Sequence, residues 1–438
     1  MRAVETIKNI WKIEDLRNRI LTTLLLVAIY RFGTYVVLPG IDPKALTALQ
    51  EQTRGGLLAL LDMFSGGAFS NASIFALGIM PYISASIVMQ LMAIAVPSFQ
   101  KLQREGESGR RKINQWTRYL TVAILLFQGP TYLVNLSVQL KAAGAALPAG
   151  IWFTISSTVI LAAGSMFILW LGERITENGV GNGISIVLLI NIISGMPSDF
   201  ATLYSTFVAP RTIAKGVLAA AIIIAILVVM VVLVCFLQDG ERRIPVQYSQ
   251  KVSGRKTFGG QSTNIPLKVN TAGVMPVIFA SSLMQFPVII AQLFGKSYEW
   301  TRYLSSSYWC RVSAPKYSIG LILYVVLLII FAYFYTSITF NPIEVADNLK
   351  KAGGVIPGIT PGKSTSDYLN NILNYIVFVG AVGLLIIALI PIMCTGFFNA
   401  SVSFGGTSVI IIVGVVLETL KQIESQMVNR YYKGFLSE

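Results

Sequence analysis

The sequence predicts an all-α, polytopic membrane protein with ten transmembrane helices in two five-helix halves of opposite orientation. Three observations carry that expectation. Apolar residues make up 54% of the 438-residue chain and charged residues only 12%, against about a quarter in an ordinary soluble domain. Apolar stretches of roughly 20 residues, the length that crosses a hydrocarbon core of ~30 Å, recur between short polar segments along the chain. One segment also occurs twice, once near the start of each half.

The apolar runs of the first half lie near residues 20–38, 74–96, 113–136, 151–171 and 183–203. Those of the second lie near 213–237, 270–294, 318–338, 371–393 and 405–426. The first run follows Arg2, Lys8, Lys12, Arg17 and Arg19, the basic start of a secretory signal. It is too long for a signal's apolar core and no small-residue cleavage site follows, so it reads as a retained span. The halves are expected at 1–210 and 211–438, with cytosolic loops at about 238–269 and 339–370.

Basic residues set the orientation. They crowd the N-terminus, the segment with Lys101, Arg104, Arg110, Arg111 and Lys112, and the segment with Arg242, Arg243, Lys251, Arg255, Lys256 and Lys268. The positive-inside rule makes all three cytoplasmic. An even number of spans then returns the C-terminus to the cytoplasm, along with Lys350, Lys351 and Lys363. Residues 295–317, with Lys296, Arg302, Arg311 and Lys316 against Glu299 alone, object to this parity and are outvoted by the other loops.

Residues 76–90 (ALGIMPYISASIVMQ) and 271–285 (TAGVMPVIFASSLMQ) match at eight of fifteen positions, at an offset of 195 residues. Each opens the second span of its half. An odd number of spans per half inverts the second copy, and inverted repeats place the functional pathway at the interface between them.

Composition removes several chemistries. The chain has no histidine, which excludes His-based triads, metal sites and proton relays. Carboxylates Glu173, Glu177 and Glu418 fall near span ends, and the mid-span polar residues Gln90, Gln128, Asn191 and Gln285 are neutral, so proton-coupled transport lacks its usual equipment. The loop Gly358-Ile359-Thr360-Pro361-Gly362-Lys363-Ser364 is one residue short of a phosphate-binding loop and carries an internal proline. Gly179, Gly181 and Gly183 lack the strand that precedes a dinucleotide fingerprint. Cys235, Cys310 and Cys394 are too widely spaced for a disulfide framework or metal motif. No cofactor is implied, and any energy source lies in a partner. The small-residue segment 61–73 is too short and polar to span; it reads as either a surface loop or a re-entrant segment held inside protein.

Several long motifs, in order along nearly the whole chain, resemble the SecY family, the large subunit of the bacterial protein-translocation channel. They are LDMFSGG with SIFALGIMPYISAS (61–86), LGERITENGVGNGIS (171–185), RRIPVQY (242–248), LKVNTAGVMPVIFAS (267–281), FNPIEVADNLKKAGGVIPGI (340–359) and GGTSVIIIVGVVLETLKQIESQ (405–426). The resemblance implies ten helices around an hourglass pore, in a bacterial plasma membrane with both termini cytoplasmic. It implies a non-enzymatic channel for unfolded secretory and membrane proteins that releases apolar segments sideways into lipid.

Carried over by motif, a waist ring would comprise Ile79, Ile83, Val180, Ile184, Met275 and Ile411. The plug would be residues 61–73, with Asp62, Met63, Phe64, Ser65, Gly66, Gly67, Ala68, Phe69 and Ser70 at its centre. A lateral gate would run along Ser84, Ile87 and Gln90 on the second span and Phe279 and Leu283 on the seventh. Arg242, Arg243, Lys251, Arg255, Lys256, Lys350 and Lys351 would dock the translating ribosome and the SecA motor ATPase, with SecE and SecG as further subunits. Thr360 stands where the family usually carries arginine. The rival reading is a secondary transporter of small solutes, which would need a compact polar site at mid-membrane. A membrane-embedded enzyme would need paired mid-span carboxylates or histidine.

Overall fold

The computed structural model describes residues 11, 13–42, 59–105, 107–142, 148, 150–209, 213–248, 251–253, 256–258, 262–293, 299–304, 309–310, 315–398 and 406–434. The helices of the first half are α1 (Glu14–Gly33), α2 (Ala59–Ser65), α3 (Met80–Ala95), α4 (Pro97–Arg104), α5 (Glu107–Ala142), α6 (Ile151–Asn178) and α7 (Gly183–Leu203). Those of the second are α8 (Ile213–Asp239), α9 (Met275–Leu293), α10 (Thr301–Leu304), α11 (Ile319–Thr339), α12 (Pro342–Lys351), α13 (Lys363–Phe398) and α14 (Gly406–Gly434).

The longer helices, α1, α3, α5 to α9, α11, α13 and α14, fall on the expected apolar runs. Six of them, α5, α6, α7, α8, α11 and α13, are long and apolar enough to cross a membrane. Only 11% of the most apolar window of α8 is buried. Its Val217, Ile222, Ile224 and Val228 therefore project from the bundle, as expected where the outer solvent is lipid.

Local chemistry sets the ends. Pro81 and Pro97 sit at the first turns of α3 and α4, where the missing N–H costs no bond. Asn182 caps α7 by accepting from the N–H groups of Ile184 and Ser185 at 3.1 and 3.4 Å. The first helix starts at Glu14 and stops at Gly33, earlier than hydropathy suggests. Residues 36–38 leave it to pair with the end of a turn-rich segment, Leu38 N–H donating to Ala72 O and Ile74 N–H to Val36 O, both at 2.9 Å.

The repeat is structural as well as sequential. Helices α3 and α9 begin at Met80 and Met275, 195 residues apart like the sequence match. The shared Gly78 and Gly273 both take positive φ, 57° and 62°, a conformation that costs other L-residues ~1–2 kcal/mol. The turn bonds correspond too: Gly78 N–H to Phe75 O and Gly273 N–H to Asn270 O, then Ile83 N–H to Ile79 O and Ile278 N–H to Val274 O.

The segment expected as a cytosolic loop contains a small sheet in strand order β4-β1-β5, with β1 (Glu241–Tyr248), β4 (Ser262–Lys268) and β5 (Gly354–Val355), all antiparallel. A separate two-stranded ribbon joins β2 (Lys251–Ser253) to β3 (Lys256–Phe258). Along β1 the residues alternate, so that Ile244 and Val246 are buried and Arg243, Pro245 and Gln247 face out. With Leu267, Leu349, Ile356, Leu369, Ile372 and Ile376 they form a satellite core that seats the sheet on α12 and the base of α13. Both basic stretches, near 242 and near 350, thereby belong to one packed unit.

Candidate pore between the two halves

The halves meet where α5 touches α9 and where α7 touches α14. Between them lies a cavity of about 540 Å³ lined by side chains of α3, α7, α9 and α14. Helix geometry orders its contents. Along α14, Lys421 and Glu418 precede Ile411 on the way towards Ser408, and ~1.5 Å per residue puts Lys421 and Ser408 about 20 Å apart. Along α7 the order is Asn182, Ile184, Leu188, Asn191. The cavity is thus polar at the end near β4, where Lys268, Asn182 and Glu418 contribute, and aliphatic at the end nearer Asn191 and Ser408, which touch the turn-rich segment.

Ile83, Ile184, Met275 and Ile411 border this cavity. Ile79 and Val180 are buried, 1% and 4% exposed, outside its lining. The Ile79 carbonyl accepts the first bonds of α3, and the Val180 N–H donates to Thr23 Oγ1 of α1 at 3.0 Å. Leu188 and Ile278 also border the cavity and were not singled out from the sequence. Both had a signal there. Leu188 is one turn beyond Ile184, and the 195-residue offset carries Ile83 onto Ile278.

The segment after α2 is held inside the bundle, where α2 touches α7. Met63, Phe64, Ser65, Ala68 and Ser70 are buried. Gly66, at φ 67°, ends α2 with the bonds Gly67 N–H to Asp62 O and Gly66 N–H to Met63 O, a Schellman-type stop. Ser70 N–H donates to Asp62 Oδ1 at 2.8 Å, closing the following turn. The surrounding helices supply further donors. Asn191 Nδ2 donates to Phe64 O at 2.7 Å, Arg31 Nη1 to Gly66 O at 3.0 Å and the Tyr132 hydroxyl to Phe69 O at 2.8 Å. From the second half, Ser408 Oγ donates to Met63 Sδ at 3.0 Å.

At the expected lateral seam, Ser84 is half-buried and Ile87 packs on the central core. Phe279 turns into its own half, edge-on to Phe331 and Tyr335 at 5.7 and 6.0 Å. Leu283 is 48% exposed. Gln90 Nε2 donates to Ser86 Oγ at 3.3 Å, while its buried Oε1 has no partner among the described residues. In the basic unit, Arg242 and Arg243 are exposed on β1, with Arg243 Nε 3.5 Å from Glu241. Lys350 and Lys351 are exposed at the C-terminus of α12, where the helix dipole favours cations. Lys251 and Lys256 lie on β2 and β3, and Arg255 is outside the described residues.

Comparison with known proteins agrees with this geometry. The SecY family model matches residues 73–420. The protein translocase subunit SecY of Streptomyces galbus is 44% identical over 432 residues, covering 96% of this chain and 97% of that one. SecY of Escherichia coli K12 is 40% identical over 424 residues, covering 97% and 94%. Among solved structures, one concerning the plug domain of SecY and its stabilisation of the closed channel superposes with a TM-score of 0.64 at 17% identity, covering 94% of this chain and 92% of that one. Sec61 from a canine ribosome-channel complex superposes with a TM-score of 0.59 at 16% identity, covering 94% and 93%.

Proposed function

This chain belongs to the SecY family, and on that premise we propose that it is the protein-conducting channel of a bacterial plasma membrane, passing unfolded polypeptides between its halves. The single observation that carries the reading is the cavity between halves, polar at one end and lined by Ile83, Ile184, Leu188, Ile278 and Ile411 towards the other. Aliphatic side chains expel water and ions from a narrow waist yet offer a sliding chain no fixed polar contacts. Solute transport, the rival reading, has no support in the family. The channel does no covalent chemistry of its own.

Residues 61–73 act as the plug, and the ring at the waist draws on Ile79, Ile83, Val180, Ile184, Met275 and Ile411 together with Leu188 and Ile278. The halves divide at about residue 210. The basic sheet unit faces the cytoplasm with both termini. It docks the ribosome and the SecA motor, and SecE and SecG complete the complex. An apolar signal helix leaves sideways between α3 and α9, because parting whole helices spares the backbone bonding that an opened loop would lose.

Export of a secretory precursor into proteoliposomes holding the chain with the two small subunits tests the reading. A short bridge between cysteines at Ser84 and Leu283 is expected to stop export and membrane insertion, and a long flexible bridge to permit both. Normal export through the short-bridged channel contradicts the lateral exit.

A further inference from the structure

The mid-span Asn191 has no place in a greasy waist, and it is wholly buried, as is Tyr30. Its carboxamide is used at both ends. Nδ2 donates to the Phe64 carbonyl at 2.7 Å, and Oδ1 accepts from the Tyr30 hydroxyl at 2.7 Å. The Schellman stop of α2 satisfies the carbonyls of Asp62 and Met63 within the segment itself, whereas the carbonyls of Phe64 and Gly66 find these donors on the wall. Gly66 O takes the Arg31 guanidinium at 3.0 Å, a charge-assisted bond at the negative end of the α2 turn. Both wall helices, α1 and α7, belong to the first half.

We propose that Tyr30, Asn191 and Arg31 form a polar latch that fixes the plug to the first half and sets how often the resting channel opens. The proposal rests on the plug reading above and assigns positioning residues to it. The walls differ in kind. On the first-half side the Asn191 amide and the Arg31 guanidinium donate to backbone carbonyls while the Tyr30 phenol holds Asn191 Oδ1, and on the second-half side Ser408 meets the Met63 thioether, a weak acceptor. When the halves part, the plug stays with α1 and α7. It leaves only when the latch carbonyls exchange their donors for water.

Gly66 is the matching half of the device. A Cβ on it would lie 2.6 Å from Asn191 Oδ1 and 2.8 Å from Arg31 Nη1, so any larger residue pushes both latch side chains off their carbonyls. The glycine is required by the latch as well as by its φ of 67°.

The test is the reaction rate of Ser70→Cys with a membrane-impermeant thiol reagent, together with the resting conductance, in the reconstituted complex with Cys235, Cys310 and Cys394 replaced. Tyr30→Phe is expected to speed labelling about threefold and Asn191→Leu about tenfold or more, the range for losing a net hydrogen bond and for stranding a buried carbonyl. Arg31→Met is expected to behave like Asn191→Leu, Arg31→Lys to stay near wild type, and Gly66→Ala to open the plug without removing any latch side chain. Tyr30→Phe added to Asn191→Leu should change less than Tyr30→Phe alone, because the short bond is already gone and only the 3.5 Å contact of the Tyr30 hydroxyl with the Ser65 carbonyl remains. Wild-type labelling and conductance in folded Arg31→Met and Tyr30→Phe overturn the latch, even if Asn191→Leu does not fold. Export by the wild-type channel in the same vesicles tests the channel reading separately.

Discussion

The two copies of the repeated segment share a backbone and differ in what precedes them. Before Gly78 the chain folds into a buried turn-rich segment among α1, α5 and α7; before Gly273 it comes out of β4, the strand paired with the basic β1. One repeated motif is thus preceded by a buried segment in the first half and by the basic sheet unit in the second. Divergence lies upstream of the glycine, where the chain is outside the shared helix, and the helix that both halves use to line the cavity is retained.

The comparison breaks most severely at the proposed waist, since Ile83 and Ile278 of the two copies both border the cavity. Ile83→Asn combined with Ile184→Asn is expected to raise resting conductance in planar bilayers by about an order of magnitude or more, since amides hold water where branched aliphatics expel it. Unchanged conductance would leave the plug as the sole seal. On the basic sheet unit, proposed above to dock the ribosome, reversing charge at Arg242, Arg243, Lys350 and Lys351 is expected to weaken ribosome binding about tenfold at low salt, with the folded channel intact. The loss should shrink at high salt, where exposed charges are screened over ~10 Å or less.

The smallest effect sharpens the symmetry itself. Gly78→Ala and Gly273→Ala should each cost ~1–2 kcal/mol of stability from the positive φ alone. A Cβ at Gly273 meets nothing within 4 Å, whereas one at Gly78 rests 3.5 Å from Ser65 of the plug segment. Since 3.5 Å is an ordinary van der Waals contact, thermal melts should fall alike and neither variant should raise resting conductance.

The spans are legible in the sequence because lipid imposes length and apolarity on each helix separately, without reference to its neighbours. The repeat is legible because a glycine at positive φ and a proline at a helix start constrain residue identity. The sheet is less so. Its buried face holds only Ile244 and Val246 on β1, set among charged residues and around Pro245, too short an alternation to stand out. The segment 61–73 read as loop or re-entrant equally well, since its place depends on donors 30 to 130 residues away: Tyr30, Arg31, Tyr132 and Asn191. Asn191 stands out as a mid-span polar residue, but it reaches segment 61–73 through the Phe64 backbone carbonyl, which leaves no trace in side-chain pattern. Among waist candidates, motif alone pointed to Ile79 and Val180, and helical spacing with the repeat points to Leu188 and Ile278.

The most direct measurement of the central claim uses a secretory chain stalled in mid-export and carrying one cysteine, oxidised against single cysteines in the channel. Disulfides are expected with both Ile83→Cys and Ile278→Cys, one from each half, and not with Val228→Cys on the outward face of α8, where Val228 is 54% exposed. Bonds to position 228 with none to 83 or 278 would show that the polypeptide does not pass between the halves.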